Sequence, residues 1–556
     1  MPKSVSNRWS QWILLALASC LLMLQPAWAQ QGRQGHLVNV AWLEQALKSG
    51  EVLLLDASVT PLYTAKHIAG AVSVDLYRYG NREVAPEVME RRLQSWGVSP
   101  GRKIVIYDQG GTNMATRLFF DLYYQGVPAE DLFILDGGLA KWQADGGAVT
   151  QEAVPPQPGT FRLQAVRDEV RVRLPEFLNA AGDPANHAVV DALEPGYYVG
   201  EAKFFDRAGH VPNAIMLPGE DFYNADKTFK SPEEIARMVG YLGIRPEQQI
   251  HSYCGGGVAA SVPFFALKFI LNYPKVKLYR ESQLEWLQDS RGLPLWTEAA
   301  PQLKRDMSWL NGWGSRMMRT YGGSKINVID VRPPEAYRLG HVPYALSLPA
   351  ELFSGSLDKP AALAERLGPA GVNPDTETVI VSDGGLNPHS ALAYLMFQRL
   401  GHQRVSVLMD SVDEWGLKGL PLAKEATVVG APKAPQDMAV PASVYPVRLR
   451  DDVLVRDAKS SKGRYPKVFI ASGQAAPADG GDVRRHGKTV HLPYKELLNA
   501  DGSPKAAKDI WKALVKAGVP RYAEIVCFSD DPGEAAVNYY ILKLMGFPDV
   551  KVLLQG

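Results

Sequence analysis

The chain has 556 residues, 46% of them hydrophobic and 21% charged, which is the composition of globular protein and excludes a disordered or fibrous one. At roughly 100–200 residues per domain, that length predicts about three to five domains, each able to bury its own core. Sixty Lys and Arg stand against 59 Asp and Glu, and a formal net charge of +1 gives no broad attraction to nucleic acid or to an anionic membrane.

Lys3 and Arg8 precede an apolar stretch at residues 12–24, and Ala27-Trp28-Ala29 supplies a small-x-small cleavage pattern. This predicts a signal peptide at residues 1–29 and export to the periplasm. The stretch falls short of the ~20 residues of a transmembrane helix, and no second one follows, so no integral membrane span is expected. Leu17-Ala18-Ser19-Cys20 also resembles a bacterial lipoprotein processing box, which would leave Cys20 lipidated. The apolar run continues past Cys20 through Leu24, which favours the signal peptide. Cleavage after Ala29 leaves only Cys254 and Cys527, in different units, and two distant cysteines do not form a disulfide framework. A free thiol kept in an oxidising compartment carries an oxidation risk and calls for a function.

Comparing the chain with itself reveals a repeat. The clearest copy opens with an amphipathic segment at 40–47 and an apolar run at 52–55 ending in Asp56. Then come Lys66-His67-Ile68-Ala69-Gly70-Ala71 and a helical pattern at 87–96. A second apolar run at 104–107 leads into Asp108-Gln109-Gly110-Gly111, a helix through 118–124, and Asp136-Gly137-Gly138 with Trp142. Short apolar strands alternating with helices indicate a parallel sheet covered on both faces. The same order returns with Val189-Val190-Asp191, Gly209-His210-Val211-Pro212 and Ile250-His251-Ser252-Tyr253-Cys254. It returns again with Val328-Ile329-Asp330, Gly340-His341-Val342-Pro343 and Val379-Ile380-Val381-Ser382-Asp383. An eroded fourth copy keeps Val468-Phe469-Ile470 and Ile525-Val526-Cys527-Phe528-Ser529. Proline-rich joins at 154–158 and 431–441 help to set the expected units at 36–148, 158–298, 305–425 and 440–556.

Aligned on the second apolar run, the first loop residue is read as Asp108, Cys254, Asp383 and Ser529, so one unit alone offers a thiol there. Gly255, Gly256 and Gly257 let successive backbone N–H groups curl toward one point, and a helix expected to begin near Val258 adds positive potential. Both predict a lowered thiol pKa. Cys527 lies two places before its loop, inside an apolar run, and is expected to pack in a core. His210 is a tempting base, but its counterparts His67 and His341 sit in units without a loop cysteine, which favours a structural role.

The strand endings, the Gly-His-Val-Pro segments and above all Tyr253-Cys254-Gly255-Gly256-Gly257-Val258-Ala259-Ala260-Ser261 resemble the rhodanese family over essentially the whole mature chain. The resemblance implies an α/β fold of tandem rhodanese-like domains, each a parallel sheet flanked by helices. It also implies a sulfurtransferase with Cys254 as nucleophile and the loop Gly255, Gly256, Gly257, Val258 and Ala259 holding substrate and persulfide. Thiosulfate or mercaptopyruvate would be the small anionic sulfur donor, a thiol or cyanide the acceptor, and no cofactor or metal is implied. Arg207, where rhodaneses often carry a basic residue, and Arg280 are the candidate anion-binding side chains. Arg280-Glu281-Ser282 stands where rhodanese-like domains usually read Asp-Gly-Ser, a departure that touches the local loop geometry. The three units without a loop cysteine are expected to build interfaces, shape access or recruit a protein partner. The alternative is a non-enzymatic persulfide carrier or binding scaffold.

Overall fold

The computed structural model describes residues 33–314, 326–431, 438–459, 463–475 and 482–554; the expected signal peptide at 1–29, with Cys20, lies outside them. The paired apolar runs become parallel neighbours. Val52–Asp56 lies beside Lys103–Tyr107, and His187–Asp191 beside Gln249–Tyr253. Ile326–Asp330 lies beside Glu377–Val381, and Lys467–Ala471 beside Glu524–Phe528. With the five parallel strands of each unit numbered along the chain, all four sheets share the spatial order 1-5-4-2-3, and the first adds a short antiparallel edge, Arg33–Gln34. These strands read as nearly continuous apolar runs because both faces are covered.

Alternation along the strands sends side chains to two different cores. In the first unit Leu54, Val105 and Tyr107 face a core of that unit's own, whereas Leu53, Leu55, Ile104 and Ile106 enter one shared with Ala188, Val190 and Ile250 of the second. The third and fourth units pair likewise, Ile329 and Ile380 sharing a core with Ile470, Ile525 and Cys527. The helices between them explain the pairing. Met114–Tyr124, Pro388–Arg399 and Pro532–Leu544 are buried on nearly every side, and a helix apolar all round must be covered all round. Phe119 meets Phe265 edge-on at 4.9 Å and Phe120 meets Phe264 at 5.0 Å, each ring contributing roughly 1.5–3 kcal/mol by burial. Cys527 is fully buried, and burial pushes its thiol far up, as core packing requires. The second unit also touches the fourth: the Tyr241 hydroxyl donates to the Ala523 carbonyl at 2.8 Å, and that of Tyr522 to Asp221 at 2.6 Å.

Strand register corrects one equivalence. Tyr107, Tyr253, Val381 and Phe528 pair with Asp56, Asp191, Asp330 and Ala471, so the residues that follow them are Asp108, Cys254, Ser382 and Ser529. The third position is Ser382 rather than Asp383, because the apolar strand ends one residue earlier than the Asp-to-Asp match suggested. Ser382 is buried and Asp383 exposed.

Candidate active site

Cys254 stands at the carboxyl end of Gln249–Tyr253, the edge where open parallel sheets bind ligands. The loop after it is longer than expected, and the helix starts at Ser261 instead of near Val258, running only to Phe265 before widening into a π-helical turn, Ala266–Ile270. Little helix dipole is therefore aimed at the sulfur, and the loop's own amides do that work: the Gly257 N–H donates to Cys254 Sγ at 3.1 Å. Cys254 is only 2% exposed. Burial raises its pKa, and the N–H groups of Ala260, Gly256 and Gly257, which favour the thiolate, only partly offset it. The expected lowering is thus reversed in sign.

The segment 280–284 closes the loop from the other side. Cys254 N–H donates to Ser282 Oγ at 3.1 Å, Gln283 N–H to the Cys254 carbonyl at 3.1 Å and Leu284 N–H to that of Gly255 at 3.0 Å. Ser282 has φ +54°, matching Gly138 at +55° in the first unit, where Leu139 and Ala140 donate in the same way to Asp108 and Gln109. The Arg280-Glu281-Ser282 departure therefore leaves the geometry intact. Gly257 has φ +79°, and a Cβ there would lie 2.0 Å from the Arg280 carbonyl oxygen.

The first unit shows what such a loop holds. Asp108, the register equivalent of Cys254, accepts from Gly110 N–H at 2.8 Å, Ala115 N–H at 2.9 Å and Thr112 Oγ1 at 2.5 Å. An anion already fills that nest.

A cavity of about 650 Å³ opens over Cys254 between the first two units, walled by Tyr77 and Asn81 from one and by Glu194, Phe204 and Tyr223 from the other. Gly255, Gly256, Val258 and Ala259 line it, while Gly257 packs against Arg280 instead. Among the described residues, no Lys or Arg belongs to that wall. Arg207 is exposed outside it. Arg280 is buried behind the loop, 3.7 Å from Asp121, and faces away from the cavity.

Residues 39–145 and 315–418 match the rhodanese-like domain family. A Pseudomonas aeruginosa protein named "Probable 3-mercaptopyruvate sulfurtransferase" is 32% identical over 277 residues, covering 96% of its own length and 46% of this chain. The chain belongs to the rhodanese family. The sulfur carrier protein TtuD of Thermus thermophilus is 29% identical over 271 residues, 93% of its length and 45% of this chain. The crystal structure of the Escherichia coli 3-mercaptopyruvate sulfotransferase SseA is 26% identical, with TM-score 0.41 over 45% of this chain and 99% of that one. The rhodanese family match falls on the first and third units, whereas Cys254 stands in the second.

His210, the tempting base, is absent from this rhodanese cavity. It is buried, stacks on Tyr198 with ring centroids 3.5 Å apart, and turns Nδ1 to the Tyr198 carbonyl at 2.8 Å. His67 on Tyr63 and His341 on Tyr337 repeat the clasp. Two residues of the first unit escaped the sequence reading. Asn81 Nδ2 donates to the Gly256 carbonyl at 2.6 Å, and Arg117 Nη1 to that of Gly257 at 3.1 Å. Arg117 and Asp121 form an i,i+4 ion pair inside an otherwise apolar helix, a visible signal; Asn81 sits in a polar turn and gave none.

Proposed function

We propose that the chain is an exported sulfurtransferase that carries sulfane sulfur as a persulfide on Cys254. The observation that supports this best is the Gly257 N–H aimed at Sγ, in a loop whose first-unit twin grips the Asp108 carboxylate. The Cys254 thiolate attacks the outer sulfur of thiosulfate; the donor S–S bond breaks and its electron pair leaves on sulfite. With mercaptopyruvate the C–S bond breaks instead, its pair passes to carbon, and the enolate takes a proton from water to give pyruvate. An acceptor thiolate or cyanide then attacks the outer sulfur of the persulfide and returns Cys254 as thiolate. Sulfur-to-sulfur transfer needs little acid-base help, so the protein contributes mainly fixed N–H dipoles around a buried sulfur. The cavity of about 650 Å³ exceeds either donor and leaves room for an organic acceptor. The leader pattern at residues 1–29 supports export.

Purified protein is expected to release sulfite from thiosulfate plus cyanide or a thiol, or pyruvate from mercaptopyruvate, and Cys254→Ser to abolish both. Mass spectrometry should find one extra sulfur atom on the peptide holding Cys254. Because burial raises the thiol pKa and only the thiolate reacts, persulfide formation should accelerate as pH rises from neutrality. Unchanged activity in Cys254→Ser would overturn the assignment. A second reading, a carrier without turnover, is favoured by the name of the Thermus relative. Stoichiometric persulfide with no multiple turnover would select it.

A further inference from the structure

The first unit has no cysteine at its loop, yet it reaches across the shared core to hold the loop that does. The Gly256 carbonyl that faces Asn81 can only accept, so the atom donating to it at 2.6 Å is the amide NH₂. That carbonyl and the Gly257 N–H are two ends of one peptide group, and the N–H donates to Cys254 Sγ at 3.1 Å. Asn81, a single peptide and the sulfur therefore form one line of hydrogen bonds, in which each link polarises the next. The following peptide is held from the same side. Arg117, fully buried, donates to the Gly257 carbonyl at 3.1 Å and is paired through Nε with Asp121 at 3.1 Å, while the Tyr79 hydroxyl donates to Asp121 at 2.9 Å.

Orientation matters because the peptide is flanked by glycines, whose backbones turn easily. Flipped, the Gly256–Gly257 peptide would point its oxygen at the sulfur and repel a thiolate or persulfide. Asn81 also keeps a cost that packing alone would remove: among the described residues its Oδ1 is buried without a hydrogen-bond partner. We propose that Asn81 is a positioning residue for Cys254, locking and polarising the Gly256–Gly257 peptide so that its N–H steadies anionic sulfur. This rests on the reading of Cys254 as the sulfur-bearing residue.

The test uses the full-length protein and needs no sulfur donor. The rate of Cys254 alkylation by iodoacetamide is followed against pH by peptide mass spectrometry, which separates it from Cys527, in the wild type, Asn81→Ala and the isosteric Asn81→Asp. Loss of the donor should raise the pH midpoint by about half a unit in Asn81→Ala, roughly a threefold drop in thiolate fraction. Asn81→Asp should raise it further, because a carboxylate cannot donate and adds a like charge. Midpoints equal to wild type, or an Asp variant indistinguishable from wild type, would overturn the proposal. So would a fall in thermal midpoint with an unmoved alkylation profile, the signature of a merely structural residue. If wild-type protein transfers no sulfur from either donor while the midpoints shift, the enzymatic reading fails and the positioning role stands.

Discussion

His210 lies outside the wall of the cavity over Cys254, yet its clasp on Tyr198 has a thermodynamic signature. Burial holds its pKa down to about 4, below the ordinary 6.5 of the unfolded chain. Unfolded protein therefore takes up a proton below pH 6.5 that the folded state refuses until about pH 4. The associated stability is whole above 6.5 and drains away as pH falls between those values, by roughly 3 kcal/mol. His210→Gln should lower stability at pH 7 by about 1–2 kcal/mol, flatten the loss between pH 6.5 and 4 in denaturant titrations, and leave sulfur transfer at wild-type rate. A large loss of transfer with unchanged stability would instead make it part of the chemistry. The repetition of the motif around His67 and His341 is what made this role legible in the sequence. Asn81 was illegible for the opposite reason: its meaning lies in a carbonyl far along the chain, and no local pattern encodes that meeting.

At the scale of elements, apolar runs located the central strands to within two residues, because short apolar runs between turn signals suit strands covered on both faces. Their ends were harder. The run Ala259-Ala260 after Val258 looks helical, but Gly257 at φ +79° and the turn beyond it delay the helix to Ser261. The slip from Ser382 to Asp383 has a related cause: a repeated Asp imitated an equivalence that only hydrogen-bonded register could decide. The glycines of the loop are likewise alike in sequence and unlike in place. Gly257→Ala must shift the loop, since its Cβ would meet the Arg280 carbonyl at 2.0 Å, and kinetics should show a loss of about 10²-fold or more. At Gly256 the nearest atom to an added Cβ is Asn81 Nδ2 at 3.8 Å, so Gly256→Ala should keep most of its rate.

The whole molecule is organised by two shared cores, one joining the first and second units and one the third and fourth, the latter also taking in Tyr198 and Val199 of the second unit. Each unit buries its central helix fully only in the presence of the other member of its pair, so the pair is the cooperative unit. Calorimetry should resolve two transitions, and Phe119→Ala should destabilise one of them by about 3–5 kcal/mol while leaving the other in place. The loops after the central strands set the fourth unit apart. In the second unit residues 254–260 separate strand from helix, whereas in the fourth only 529–531 do, and the Asp531 side chain caps the helix start by accepting from Gly533 N–H at 2.8 Å. That loop is too short to form the cradle seen at 254–260. Point mutation can exchange Ser529 for a thiol, but only an insertion could rebuild the turn around it. The fourth unit's loop is thus closed to sulfur chemistry whatever residue stands at 529, whereas loop 382–387 of the third keeps the length of the first unit's 108–113.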